Sequence, residues 1–397
     1  MTGARPAPPR AYDLVLFGAT GFTGALTASY LAAHAPAGLR WALAGRDPRR
    51  LAALRTELAA VDPRLATLPL LTADVTDPAS LRALADRTRV LASTVGPYLR
   101  YGEPLVAACA AAGTDYADLT GEPEFTDRMY LRHHERARAT GARLVHACGF
   151  DSIPPDLGVR YTVGLLPSGV PLRVDGYLRT RAAVSGGTLD SALTAASRPL
   201  AMARAARARR RLEPAPAGRV VRAPLGPPHR SRAVRAWALP LPTIDARIVA
   251  RSAAASPAYG PAFRYRHFAA VRQLPVAAAG VLGVGALLAL AQVPPARAWL
   301  TGRRGPGEGP SRERREASWF ALRLVGQGGG RRVVTEVSGG DPGYDETARM
   351  LAESALCLAL DDLPRTAGQV TPATAMGEAL TARLVRSGLV FRVLSRE

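Results

Sequence analysis

The stretch Leu14-Val15-Leu16-Phe17-Gly18-Ala19-Thr20-Gly21-Phe22-Thr23-Gly24 decides the fold. Four apolar residues read as a buried strand, and a helical pattern follows to about His34, with Leu26, Tyr30 and Leu31 on its apolar face. Between them stand three glycines with distinct tasks. Gly18 permits the tight turn, Gly21 lets a diphosphate approach the backbone, and Gly24 lets helix and strand pack closely. A helix that begins at such a loop points its free N–H groups at an anion. Gly18, Thr20, Gly21, Phe22, Thr23 and Gly24 are therefore the first candidate cofactor-binding residues.

Reading outward, strand and helix alternate. Trp41-Ala42-Leu43-Ala44 is a second strand ending in Gly45-Arg46-Asp47. An arginine at that tip suits the 2′-phosphate of NADP(H), where an acid would suit the bare ribose of NAD. Asp47 reads as a helix N-cap before Pro48. Leu68–Leu71 is strand three, leading to Asp74-Val75 where adenine contacts are expected, and a helix starts near Pro78. Val90–Val95 is strand four and opens into Gly96-Pro97-Tyr98-Leu99-Arg100-Tyr101. A helix over Leu105–Ala112, a strand over Tyr116–Leu119, a helix over Pro123–Thr140 and a strand at Leu144-Val145 complete six strands. The expected fold is α/β: a Rossmann doubly wound parallel sheet over residues 12–150. Ligands in that fold sit beyond the carboxyl ends of the strands, which puts Gly96–Tyr98, Asp118–Glu122 and Cys148–Ser152 beside the nicotinamide.

The remaining chain, 151–397, reads as an α+β substrate domain, and residues 1–11 as a disordered tail. Met1–Arg10 lacks the apolar stretch of a signal peptide. Arg173–Arg181 alternates like a strand; Trp319–Val325 and Arg331–Ser338 read as strands joined by a glycine-rich turn. Helices are expected from Ser185-Gly186-Gly187-Thr188, over Tyr344–Ala359 and over Pro372–Val385. At about 199–316 lies an insertion, basic and apolar.

All 52 cations of the 397-residue chain are Arg against 32 acids, and Lys and Asn are absent, so no lysine Schiff base is available. The excess is concentrated late: Met202–Arg235 carries ten Arg and only Glu213. Such a field attracts polyanions, whether an acidic carrier protein or anionic lipid headgroups, while a coding bias would explain the choice of Arg but not the shortage of acids. Without interleaved aromatics the run argues against nucleic acid. Within the insertion, Val276–Ala291 holds only apolar residues and glycine. As a helix it would span ~24 Å, short of the ~30 Å hydrocarbon core, so it reads either as a shallow membrane anchor or as the lining of an acyl tunnel. The expected location is the cytoplasm, with peripheral contact on the inner face of the plasma membrane. Three scattered Cys and separated His give no metal-ligand spacing, so no metal is expected. Cys148 reads as a small buried hydrophobe and His146 as a strand residue. A second copy of the chain remains an open partner.

Together GATGFTG, AGR, STVGPY, YGEPLVAACAAAGTDYADLTGE and HACGFDSIPPDLG resemble the saccharopine dehydrogenase-like oxidoreductases, nearest the trans-acting enoyl reductases of actinobacterial polyketide and glycolipid assembly. The likeness is dense over 12–160 and returns at Ser185–Ala192, Leu241–Ala254, Tyr259–Phe268 and Thr371–Leu380. It implies NADPH as hydride donor and an enoyl thioester on a carrier protein as acceptor. Gly18, Thr20, Gly21, Phe22, Thr23, Gly24, Arg46 and Gly96 match its cofactor motifs. Reduction of an enoyl thioester needs a hydrogen bond to the developing enolate and a proton at the α-carbon. Tyr98, Asp151 and Ser152 are the candidate catalytic residues, with Tyr101 and Glu122 in reserve. Tyr98 could instead wall the pocket, and Asp151 could cap the turn into Ile153-Pro154-Pro155. Two other functions fit the pattern: an amino-acid or imine dehydrogenase, and a membrane- or lipid-associated nucleotide-binding protein without catalysis.

Overall fold

The computed structural model describes residues 10–182, 193–194, 196–275, 283 and 309–397. The expected helix from Ser185, most of the N-terminal tail and, apart from Gly283, the apolar Val276–Ala291 stretch lie outside them. Arg10, assigned to the tail, is instead tied down by donating to the Ala85, Asp86 and Ala112 carbonyls.

The first sheet is built from β1 (Tyr12–Phe17), β2 (Trp41–Gly45), β3 (Leu70–Thr72), β4 (Thr88–Ser93), β5 (Asp115–Asp118), β6 (Arg143–Val145) and, from far along the chain, β14 (Gly368–Val370). Its order is β14-β6-β5-β4-β1-β2-β3, all neighbours parallel. Leu14, Leu16, Leu43 and Val90 are sealed on one face and Val15, Ala42 and Leu91 on the other, because helices cover both sides. Strand order reverses between β1 and β4, so the crevice at their carboxyl ends is the ligand position of this fold. The connecting helices are α1 (Phe22–His34), α2 (Pro48–Val61), α3 (Pro78–Asp86), the short α4 (Tyr98–Tyr101), α5 (Glu103–Ala112) and α6 (Pro123–Thr140).

The second sheet is mixed. β7 (Leu172–Arg181) is its centre, flanked by β12 (Trp319–Gly328) antiparallel and β11 (Ala262–Val271) parallel. Beyond β11 lie β10 (Ala236–Pro240) and β9 (His229–Ser231), and short β8 (Val220–Arg222) also pairs with β11. β13 (Arg331–Gly339) forms the expected hairpin with β12 and pairs outward with β15 (Val390–Arg396). The α+β expectation for this part holds, but the chain does not stay there after residue 150. The helix Asp345–Leu360 packs along α1 and under β4, and β14 extends the first sheet. Short β14 carries little local signal, and its pairing to β6 is a tertiary choice. The helix expected over Pro372–Val385 is likewise two helices, Pro372–Ala375 and Gly377–Arg386. Gly377 takes φ +42°, a left-handed conformation that breaks the ladder.

The basic run divides. Most of its arginines are exposed, yet Arg209 on the helix Pro199–Leu212 is buried. It lies over the Tyr130 ring at 4.1 Å and pairs with Glu213 and Asp127. Arg247 and Arg251 also reach Asp127. This cluster fastens the start of the insertion to α6.

Candidate functional site

The glycine loop closes as its sequence demands. Gly18 has φ +83°, and a side chain there would press on Val95. A Cβ on Gly24 would overlap the Gly18 carbonyl, so only glycine lets α1 start this close to β1. Gly21 is the N-cap and supplies no side-chain bond to the first turn. The N–H groups of that turn therefore lack a side-chain cap, which is what a diphosphate requires.

Arg46 is exposed at the tip of β2, close enough to Asp74 for its charge to act there. Asp47 caps α2 by accepting from the Arg49 and Arg50 amides at 2.9 and 3.1 Å. Arg50 then donates to the Thr20 carbonyl at 3.0 Å, bringing a second guanidinium against the glycine loop. Sequence reading missed Arg50; the N-cap at Asp47, which sets the start of its helix, was the available signal. Asp74 and Val75 sit half-buried after β3, with the Asp74 carboxylate accepting from the Thr76 amide and hydroxyl. Those bonds hold it below the ordinary aspartate range. The residues present fit a phosphorylated dinucleotide.

At the nicotinamide side, three strand ends meet. Gly96-Pro97 is cis, and Tyr98 is buried behind it. The Tyr98 hydroxyl donates to the Ser93 carbonyl at 2.9 Å and accepts from the Leu119 amide at 3.1 Å. It thus ties the end of β4 to that of β5, and to give a proton to a substrate it must release Ser93. Glu122 accepts from the Tyr98 and Leu99 amides at 3.0 and 2.7 Å, fixing the same turn. Tyr101 is half-buried with the Arg100 guanidinium over its ring.

Beneath this lies a pair that the sequence did not reveal. The Asp118 carboxylate meets His146 Nδ1 at 2.7 Å, both residues buried. Its other oxygen accepts from the Thr120 and Ala147 amides. His146 Nε2 has no partner among the described residues. His146 lies just past the end of β6 and turns inward between Tyr116 and Phe125. Cys148 is sealed, as expected of a small hydrophobe, and burial pushes its thiol up.

Asp151 is half-buried after β6, its carboxylate against Gly121, where a Cβ would come within 2.7 Å. Burial raises it to about 6. Asp245 is buried at the start of the helix Asp245–Ala255, whose Ile244 and Ile248 pack on Ala147. Burial, then the Asp151 charge, push Asp245 well above the ordinary range. Burial thus favours the protonated form of both carboxyls, and the Asp151 charge, where present, favours the proton on Asp245 further. The Ser152 hydroxyl, fully buried beside them, has no partner among the described residues. The structure thus brings Asp151 and Ser152 to the end of the sheet that carries the glycine loop. Among the described residues no His/Cys/Asp/Glu group could hold a metal.

A glycine loop, an arginine tip and titratable groups at one end of a parallel sheet define an NADP-dependent oxidoreductase of the Rossmann type. Residues 14–145 match the saccharopine dehydrogenase NADP binding domain. Two curated relatives, the trans-acting enoyl reductases of Mycobacterium tuberculosis and Mycobacterium ulcerans, are 40% and 39% identical, each alignment covering 96% of this chain and 97% of the relative. The chain belongs to this family, the trans-acting enoyl reductase branch of the saccharopine dehydrogenase-like oxidoreductases. Its fold is shared with saccharopine dehydrogenase of Saccharomyces cerevisiae (TM-score 0.57, 13% identity, 96% of this chain and 99% of that one). NADPH is its cofactor.

Proposed function

We propose that the protein reduces the C=C bond of an enoyl thioester in polyketide or lipid assembly, acting in trans on an acyl group delivered by a separate carrier. The observation that carries this reading is the 39–40% identity, over 96% of this chain, to proteins named trans-acting enoyl reductase. Bound NADPH supplies the hydride for the β-carbon. The chain's own residues must then orient the thioester, exclude water and place a proton on the α-carbon. Asp151 is the proton source, with Asp245 coupled to it by charge; Ser152 orients, and Tyr98 with Glu122 keeps the loop after β4 rigid. Gly18, Gly21, Gly24 and Gly96 give the backbone room for the dinucleotide, Phe22 and Thr23 open the helix that faces its diphosphate, and Asp74 and Val75 bound the adenine side. Arg46, with Arg50, holds the 2′-phosphate. The exposed arginines Arg204, Arg207, Arg210 and Arg211 suit an acidic carrier protein or anionic headgroups. Among the described residues no helix is long and apolar enough to cross a membrane.

The test is NADPH oxidation with enoyl-pantetheine and enoyl-carrier substrates, with mass analysis of the product. A gain of two hydrogens supports the reading. Oxidation only with a keto acid plus an amine, with a new C–N bond, would overturn it in favour of an imine-forming dehydrogenase. Arg46→Ala should weaken NADPH and leave NADH unchanged; equal loss for both would remove Arg46 from the 2′-phosphate.

A further inference from the structure

Phe22 occupies the first turn of α1, directly after the N-cap Gly21. Its backbone N–H belongs to the turn that faces the diphosphate, so whatever fixes its ring also fixes that donor. The ring is held by residues from far along the chain. Tyr344 meets it edge-on, centroids 4.9 Å apart at 79°. The Arg315 guanidinium lies over it at 5.5 Å. The Gly309 backbone lies so close that any Cβ there would overlap the ring.

Arg315 is itself fixed. Its Nε donates to both Asp345 carboxylate oxygens, at 2.9 and 3.1 Å, and its Nη1 to the Pro310 carbonyl at 2.9 Å. Although it belongs to an arginine-rich stretch, its side chain is only 13% exposed. Residues 309–316 thus cross from the end of the insertion onto the glycine loop as a strap. The strap is anchored on the first turn of the helix Asp345–Leu360. Two residues on, Thr347 Oγ1 accepts from the Phe150 amide at 3.2 Å, beside Asp151. One helical turn therefore touches the strap, the diphosphate loop and the proton-bearing loop.

We propose that Arg315, with Gly309, is a positioning residue for the dinucleotide: it clamps the Phe22 ring and so sets the affinity of the glycine loop for NADPH from within the insertion. A guanidinium held against an aromatic face in a largely desolvated setting is worth roughly a tenfold change in binding. The proposal rests on the cofactor alone and is independent of the acyl substrate.

The experiment is fluorescence titration with NADPH itself, needing no acceptor, on the full chain and its variants, with melting temperatures in parallel. Arg315→Ala and Gly309→Ala should each raise the NADPH Kd about tenfold. Arg315→Lys, which keeps charge without the planar stack, should fall between. In a Phe22→Ala background Arg315→Ala should cause no further loss, because the ring through which it acts is gone. Arg332→Ala, which cuts an ion pair to Glu397 at the far edge of the second sheet, should leave Kd unchanged. The proposal is overturned if Arg315→Ala lowers the melting temperature while Kd stays constant. It is equally overturned if Arg315→Ala costs as much without Phe22 as with it, since the charge would then act directly. Should Arg315→Ala fail to fold, Gly309→Ala carries the same decision.

Discussion

Acids within the second sheet and acids at the carboxyl end of the first are held in opposite ways. In the second, a buried carboxylate is answered by arginine across the strands: Glu336 takes Arg323 from β12 at 2.8 Å and Arg392 from β15. Burial works to raise Glu336, but the two guanidinium groups outweigh it and hold it below the usual range. Asp175 on β7 is paired with Arg266 on β11. At the carboxyl end of the first sheet Asp151 and Asp245 show no ion pair among the described residues, and each is raised by burial, with the Asp151 charge adding to Asp245. A buried acid beside arginine is a fixed anion that holds strands together; one without a cation keeps a proton that chemistry can use. In so arginine-rich a chain, the lack of a cation at those carboxylates points to function.

Four substitutions would break or sharpen that contrast. The largest effect is expected from Asp151→Asn, which should lower kcat roughly a hundredfold, within the range for loss of a general acid, while NADPH affinity holds. An unchanged kcat would return Asp151 to a merely capping role. Asp245→Asn comes next. The donor must be protonated, so activity falls as pH rises through about 6, the value that burial alone gives Asp151. The charge coupling raises Asp245 and not Asp151, so Asp245→Asn should leave that limb of the pH–rate profile in place and lower kcat less than Asp151→Asn does. A limb that moves with Asp245→Asn would make Asp245 the donor.

Asp156 tests the contrast by stability. Buried in the helix Ile153–Val163, it accepts from the Ala373 amide at 2.8 Å, and burial raises it to about 6. The folded state therefore holds this proton more tightly than the unfolded chain, so stability falls as pH rises from about 4 through 6. Asp156→Asn, which can still accept from Ala373, should be more stable than wild type above pH 7 by on the order of 2 kcal/mol and lose that advantage below pH 4. Denaturant melts at both pH values decide it. The smallest change is expected from Arg323→Met. Leaving Glu336 with one partner should cost about 1 kcal/mol at pH 7 and less as the pH drops through the carboxylate range. A penalty independent of pH would mean lost packing alone.

How much of this was legible in sequence follows the range of the interactions. The glycine loop, Asp47 cap and alternation of strands and helices depend on neighbours within a turn or two, and each stands where the residues imply. Gly377, which splits one expected helix, was present to be read, but its left-handed conformation is imposed by the packing around it. The Asp118–His146 pair joins residues 28 apart at the ends of adjacent strands. Asp245 reaches Asp151, and Arg315 reaches Phe22, only through the fold. Arg209 looked like its neighbours in the basic run until Asp127 buried it.

By itself the sequence determined a parallel α/β unit with a phosphorylated-dinucleotide loop, because glycine stereochemistry and hydrophobic period act locally. Only the tertiary structure decided which acids keep their protons, which arginines are structural and which distant strap rests on the cofactor loop. Those outcomes depend on burial and on which charge comes to lie beside which, and neither exists until the chain has closed on itself.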